Sequence, residues 1–146
     1  MSEQSRGTVV LGVAASDAHA VANHLIAYSL RANGFDVLNL GTCTPVSEFA
    51  EAAREHPDAL AVVIGSLNGH VHEDLRDLRL ARESGDIVCP VIVGGNLSVG
   101  SKKSASDTER LHALGVDQVL SRPQDLLVLL DEIAARRQDL VEVAAS

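Results

Sequence analysis

Five short runs of Val, Ile and Leu alternate along this chain with longer stretches in which apolar residues recur every three or four positions. The short runs predict buried strands, and the longer period predicts amphipathic helices. Strands are expected near residues 8–14, 36–40, 59–64, 89–93 and 118–120. Helices are expected near residues 20–32, 46–55, 73–83, 107–114 and 124–137.

This alternation predicts an α/β fold with a parallel sheet and helices on both faces, because parallel strands need crossover connections. Five strands in such a doubly wound sheet most often take the flavodoxin/Rossmann-like order 2-1-3-4-5. The length of 146 residues fits one domain. We therefore expect a single domain over residues 1–146, with its core at about residues 8–138.

Composition and charge limit the possible partners. Apolar residues make up 46% of the chain and aromatic residues only 2%, so the core must be mainly aliphatic. The net charge of −8, without a basic stripe, argues against nucleic acid. The apolar runs are far too short to span a membrane. Two isolated cysteines, Cys43 and Cys89, and an N-terminus without signal-peptide features favour the cytoplasm.

The candidate chemistry lies where strands one, three and four end. These strands are neighbours in the predicted order, so the segments after them share one edge of the sheet, where α/β proteins bind ligands. The first segment carries Asp17 and His19, and a carboxylate beside an imidazole can orient it for a metal. The alternative is that Asp17 caps the first helix and His19 faces solvent. Two ligands are too few for zinc, whereas one imidazole suffices for a metal held by a macrocycle.

The other two segments are small and polar. Gly65, Ser66 and Leu67 follow the third strand, and Gly94-Gly95 follows the fourth. The glycines could let a flat or bulky ligand approach the backbone, or they could simply supply a tight turn with positive φ.

Together these segments resemble the B12-binding domains of mutases and methionine synthase, and in particular the small (sigma) subunits of glutamate mutases. The family pattern is DxHxxG after strand one, SxL after strand three and GG after strand four. Here these motifs fall on residues 17–22, 65–67 and 94–95. The resemblance covers about residues 9–133 and includes further matching residues, namely Gly41, Thr44-Pro45, residues 93–97 and Val99-Gly100.

The resemblance implies that cobalamin binds here with its cobalt on His19, which becomes the lower axial ligand and the catalytic residue together with its hydrogen-bond partner Asp17. The dimethylbenzimidazole tail of the cofactor would leave the cobalt and occupy a slot beside the sheet. Ser66 and Leu67 would lie along this tail, and Gly94 and Gly95 would let it pass. The other cofactor-binding residues implied are Ser16, Ala18, Ala22, Gly65, Asn96 and Ser121.

The chain departs from the family pattern at three places. Ala22 replaces the last glycine of the first motif, Gly65 replaces the serine of the second, and Ser121-Arg122-Pro123 stands where the family has Gly-Thr. Crowding by an extra methyl group can cost about 1–3 kcal/mol. A lost hydroxyl removes a hydrogen bond typically worth about 1 kcal/mol, unless Ser66 replaces it through a one-residue shift. These departures bear on the affinity for the cofactor rather than on its identity.

The resemblance further implies a subunit of an adenosylcobalamin-dependent carbon-skeleton mutase, an isomerase of the glutamate (methylaspartate) mutase type. The chain has no room for a substrate-binding barrel, so we expect it to be inactive alone. A larger TIM-barrel subunit would bind the amino-acid substrate. A stand-alone corrinoid carrier or sensor is the alternative. A phosphorelay receiver shares the strand order but needs an Asp after strand three and a Lys after strand five, where this chain has Gly65-Ser66 and Ser121.

Overall fold

The computed structural model describes residues 6–14, 20–66, 71–95, 105–120, 122 and 124–145. Five strands form one parallel sheet in the order β2-β1-β3-β4-β5, as predicted. The strands are β1 (Thr8–Val13), β2 (Asp36–Asn39), β3 (Ala61–Ser66), β4 (Val91–Gly95) and β5 (Gln118–Leu120). The helices are α1 (Val21–Ala32), α2 (Val46–Glu55), α3 (Val71–Asp74), α4 (Leu78–Glu83), α5 (Ala105–Leu114) and α6 (Asp125–Ala145).

The core consists of two apolar layers, one on each face of the sheet. Side chains alternate between the faces of a strand, so neighbouring residues of β1 and β3 enter different layers. One layer joins Leu11, Val63 and Ile92 to α1 and α6. The other joins alternate strand residues such as Ile64 to Phe49 of α2 and to α3, α4 and α5. Helices therefore cover both faces, which makes the sheet doubly wound.

Strands β3 and β4 run two residues further than the apolar pattern predicted. Gly65-Ser66 and Gly94-Gly95 therefore belong to the strands and not to the loops after them. Gly65 is the register partner of Gly94, and Ser66 is the partner of Gly95. Backbone pairing needs only N–H and C=O groups, which glycine supplies as well as valine does.

The single helix predicted over residues 73–83 is wrong, because two short helices replace it. Between α3 and α4 the hydrogen bonds span three residues instead of four. Arg76 N donates to Glu73 O at 3.4 Å, and Leu78 N donates to Leu75 O at 3.0 Å. The predicted last helix also ended too early, because α6 continues beyond residue 137 to Ala145.

Charged side chains brace the amino edge of the sheet. Asp117 forms an ion pair with Arg82 at 3.1 Å and accepts a hydrogen bond from Val91 N at 2.7 Å. Arg82 also donates to the carbonyl oxygen of Cys89 at 2.8 Å. Burial raises the pKa of the Cys89 thiol, and its backbone hydrogen bond and Arg82 partly offset this rise.

Among the described helices, none is both long enough and apolar enough to cross a membrane.

Candidate cofactor slot

A cavity of about 150 Å³ lies at the carboxyl edge of the sheet, on the face covered by α1 and α6. We call this cavity the slot. Its lining is mostly apolar, with Asn23, Ser66 and Arg122 as the polar members. The described lining residues are Leu11, Gly12, Val13, Ala22, Asn23, Ile26, Val63, Ile64, Gly65, Ser66, Ile92, Gly94, Gly95, Leu120, Arg122 and Leu126.

The floor of the slot is a trough in the sheet surface. The register places Val13 beside Gly65, Gly65 beside Gly94, and Gly94 beside Leu120, so these four residues form one row across four strands. Alternation along the strands puts this row on the same face as Ile92, toward α1 and α6. The two middle positions carry no side chain. The row therefore has a gap two strands wide, with Val13 and Leu120 as its walls.

The two glycines of β4 serve different purposes. A Cβ atom at Gly94 would lie 3.7 Å from the Leu120 Cβ, an ordinary contact, so the backbone there does not need glycine and the missing side chain leaves free space. Gly95 has a φ of +112°, a conformation that side chains of L residues rarely adopt. The positive φ that was one interpretation of the pair is therefore found at Gly95, whereas Gly94 leaves free space above the sheet.

One wall of the slot is α1, and its polar member is Asn23. This residue is 4% exposed. Its Oδ1 accepts a hydrogen bond from Asn39 Nδ2 at 2.7 Å, and the Asn39 Oδ1 accepts one from Gly41 N at 3.0 Å. The Asn23 Nδ2 is buried and has no hydrogen-bond partner among the described residues. A buried amide donor without a partner is unfavourable by about 1–3 kcal/mol, so its position at a cavity wall suggests a ligand acceptor.

Another wall of the slot is formed by Leu126 at the start of α6 and by Arg122, which precedes this helix. Arg122 contacts Asp125 through two hydrogen bonds, from Nη2 to Oδ1 at 3.1 Å and from Nε to Oδ2 at 3.3 Å. This paired arrangement orients the guanidinium group at the rim, where the Arg122 side chain is 65% exposed. Arg122 therefore places an exposed cation, paired with Asp125, at the rim of the slot.

Five of the predicted cofactor-binding residues come together at the slot, namely Ala22, Gly65, Ser66, Gly94 and Gly95. The other predicted residues, Ser16, Asp17, Ala18, His19, Leu67, Asn96 and Ser121, lie outside the described residues.

The register does not support the one-residue shift by which Ser66 would take the place of a serine at position 65. Gly65 pairs with Gly94 in an unbroken ladder, and Ser66 pairs with Gly95. Alternation therefore places the Ser66 side chain on the face of Ile64, away from α1. Ser66 is fully buried, and its Oγ has no hydrogen-bond partner among the described residues.

Most of the residues in the slot walls were not predicted from the sequence, namely Asn23, Ile26, Leu120, Arg122 and Leu126. The sequence does contain a sign that Asn23 is buried, because this residue lies three and four positions before Ile26 and Ala27, on the buried face of α1. A polar residue in the apolar stripe of a helix indicates either a buried network or a ligand contact.

Comparison with known proteins agrees with this geometry. A model of the B12 binding domain family matches residues 7–122, and the chain therefore belongs to that family. Within the family, it is similar to the glutamate mutase sigma subunit of Halobacterium salinarum, with 40% identity over 126 residues that cover 86% of this chain and 84% of the relative. The sigma subunit of Carboxydothermus hydrogenoformans is 38% identical and covers 85% of this chain and 93% of the relative. The family assignment supports the expected cobalamin cofactor.

Solved structures have the same fold. A cobalamin-binding protein from Desulfitobacterium hafniense superposes with a TM-score of 0.71 at 19% identity, over 88% of this chain and 59% of that one. The methanol:cobalamin methyltransferase complex of Methanosarcina barkeri matches with a TM-score of 0.71 at 28% identity, over 92% of this chain and 48% of that one. The chain thus spans about half of the length of these structural neighbours. The superposition over most of this chain confirms the Rossmann-like fold.

Proposed function

We propose that this chain is the cobalamin-binding small subunit of an adenosylcobalamin-dependent carbon-skeleton mutase of the glutamate mutase type. The observation that carries the proposal is an apolar slot with a glycine floor in a member of the B12 binding domain family. The names of the sigma-subunit relatives support the mutase class.

The slot suits the aromatic tail of the cofactor. An apolar cavity of about 150 Å³ can hold an aromatic ring such as benzene. The trough over Gly65 and Gly94 gives a flat ring access to the sheet, and the unpaired Asn23 Nδ2 provides one polar contact. The residues present therefore fit a heteroaromatic tail that has left the cobalt.

His19 is our candidate for the lower axial ligand, with Asp17 orienting its ring. The support is that residues 15–19 connect Ala14 to Ala20, next to the slot-lining elements β1 and α1. The Ala14 N donates to Gly65 O at 2.9 Å, which holds the start of the connection against the trough. A neutral imidazole that binds the metal through one ring nitrogen and donates the N–H of the other nitrogen to a carboxylate is a fixed and more basic metal ligand.

When bound, adenosylcobalamin would supply the radical chemistry through homolysis of its cobalt–carbon bond. The chain itself would hold the tail in the slot and fix the axial imidazole. We assign the amino-acid substrate to a larger TIM-barrel subunit and expect no activity from this chain alone. We also propose that the chain is located in the cytoplasm.

The α1 helix offers a surface for that larger subunit. Val21, Leu25 and Tyr28 are exposed by 74%, 65% and 75%, and their spacing of four and three residues places them on one side of the helix. A row of exposed apolar side chains beside a ligand site is typical of a protein–protein interface. We propose that the partner subunit covers this row when it covers the corrinoid.

A stand-alone corrinoid carrier is the second candidate. A corrinoid-dependent role outside the mutases, though not its stand-alone form, is supported by the 28% identity to a chain of the methanol:cobalamin methyltransferase complex. The two candidates differ in their partner, because only the mutase assignment requires that the chain restore glutamate-to-3-methylaspartate isomerisation to a barrel subunit.

The absorbance spectrum of a bound corrinoid would test the proposed axial ligand. Purified chain mixed with hydroxocobalamin should show the spectrum of a corrinoid with a histidine as its lower ligand, and His19→Gly should lose it. Asp17→Asn should keep the spectrum but weaken binding by about 10- to 100-fold, as expected for a partner that orients a metal ligand. His24→Gly, on the exposed side of α1, is the matched control and should behave as the unchanged chain. An unaltered spectrum with His19→Gly would refute the axial assignment.

A further inference from the structure

We infer that Asn23 is a specificity-determining residue of the slot. Its Nδ2 donates to the acceptor nitrogen of the tail base, so the slot selects cobamides whose base is a nitrogen heterocycle. This inference rests on the proposed function, because it assumes that the tail occupies the slot.

The main chain fixes the direction of the hydrogen-bond chain that ends at Asn23. A backbone N–H can only donate, so the contact between Gly41 N and Asn39 identifies the acceptor oxygen of Asn39. The Asn39 amide nitrogen then faces Asn23, which must present its own oxygen at 2.7 Å. The Nδ2 of Asn23 is thereby left over as a donor, and its orientation is set by a main-chain group.

The tail of the cofactor offers a matching acceptor. A benzimidazole that has left the cobalt carries a ring nitrogen whose lone pair has lost its metal. Burying that acceptor in an apolar slot without a donor is unfavourable by the same amount as burying a donor without an acceptor. Asn23 Nδ2 and the ring nitrogen thus satisfy each other.

Among the described residues, no neighbouring hydroxyl group is placed to be the donor. The position of the family serine is Gly65, which has no side chain, and the Ser66 side chain lies on the opposite face of β3. Of the described residues that line the slot on the α1 side, Asn23 alone carries a buried polar atom without a partner.

The test compares three corrinoids in their adenosyl forms: cobalamin, a cobamide whose tail ends in a phenolic ring attached through oxygen, and cobinamide, which lacks the tail. Asn23→Asp keeps the hydrogen bond from Asn39 and the size of the side chain while removing the donor. Asn23→Leu removes both polar atoms and serves as the second variant should the first perturb folding, which circular dichroism monitors. Equilibrium binding is followed by absorbance.

We expect both variants to weaken cobalamin binding by about tenfold or more while leaving the phenolic cobamide and cobinamide within about twofold. Ile26→Val, one turn further along α1, is the matched control and should affect both tail-bearing corrinoids equally. Asn39→Ser should lower the preference for cobalamin over the phenolic cobamide, because Asn39 acts as the positioning residue of Asn23.

Equal weakening of cobalamin and the phenolic cobamide would mean that Asn23 contacts the sugar or phosphate, and this would overturn the inference. No change with either variant would also overturn it. A chain that binds cobinamide as tightly as cobalamin would overturn the tail-in-slot proposal itself, which is a separate result seen with the unmodified protein.

Discussion

Gly12 and Gly65 lie on adjacent strands, and a methyl group added to each would meet opposite surroundings. At Gly12 the new Cβ would lie 2.7 Å from the Phe49 Cζ, whereas at Gly65 its nearest neighbour would be Gly12 O at 3.9 Å. The first glycine makes room for an aromatic side chain in the core between the sheet and α2. The second leaves open space among the described residues, at the floor of the slot.

We expect Gly12→Ala to lower the free energy of unfolding by about 1–3 kcal/mol, because Phe49 would have to move within a packed core. Gly65→Ala should change it by about 1 kcal/mol or less, since its Cβ enters open space. Denaturant unfolding of the two variants measures the difference. Equal destabilisation would show that the space over Gly65 is not free.

Filling the trough should remove the tail site without unfolding the domain. In Gly94→Leu, the side chain would extend past Leu120 into the slot, and we expect cobalamin affinity to fall by about tenfold or more. Cobinamide, which has no tail, should bind as before. Gly85→Ala, in the turn after α4 and outside the slot lining, is the matched control. It strains a φ of +85° and should lower stability by about 1–2 kcal/mol while leaving the preference for cobalamin over cobinamide in place.

Ser66 offers a prediction about stability. Its buried hydroxyl has no partner among the described residues, so Ser66→Ala should raise the free energy of unfolding by about 1 kcal/mol. Thr44 is also buried, but its Oγ1 donates to Gly41 O at 3.0 Å, so Thr44→Val should lower stability by a similar amount. Thermal unfolding of the two variants would show whether each substitution raises or lowers the stability of the fold. A loss of stability in Ser66→Ala would show that the hydroxyl is satisfied.

The apolar row on α1 gives a prediction about assembly. Leu25→Asp should weaken binding to a glutamate mutase barrel subunit by about tenfold or more, because it places a charge in the centre of an apolar contact. Val88→Asp changes an equally exposed residue ahead of β4, at the opposite edge of the sheet, and should leave binding unchanged. Isothermal titration with the loaded subunit measures both. Equal effects of the two variants would exclude α1 as the docking surface.

The two cysteines should differ in reactivity. Cys43 is exposed and should react with a disulfide reagent at neutral pH, whereas Cys89 is buried and its raised pKa keeps it protonated. The unfolded chain loses the Cys89 proton near the ordinary thiol value of 9.0, and the folded chain loses it only at higher pH. Stability from this thiol is therefore complete below pH 9.0 and declines as the pH rises above it. Cys89→Ala should reduce the alkaline loss of stability seen in pH-dependent unfolding.

The apolar pattern was enough to predict the strand order and both helical layers, because alternating strands and helices allow few topologies. It failed at the carboxyl ends of β3 and β4, where glycine continues the ladder without an apolar signal. It also failed at α3 and α4, because a periodic pattern does not show where the hydrogen bonds tighten.

The slot was only partly predictable for a related reason. Gly65 and Gly94 stood out as motif residues, but their pairing in one row depends on the register of β3 against β4. Asn23 was missed because its importance comes from Asn39, sixteen residues away on β2, and no local pattern connects the two.

A binding surface made of main chain has no rotamers to rearrange. The ladder hydrogen bonds that hold β3 beside β4 also keep the trough open. A ring that bound there would therefore meet a preorganised surface, and binding would cost little conformational entropy in the protein. Any adjustment to ligands of different size then falls to the helical walls, above all to the turn of α1 that carries Asn23.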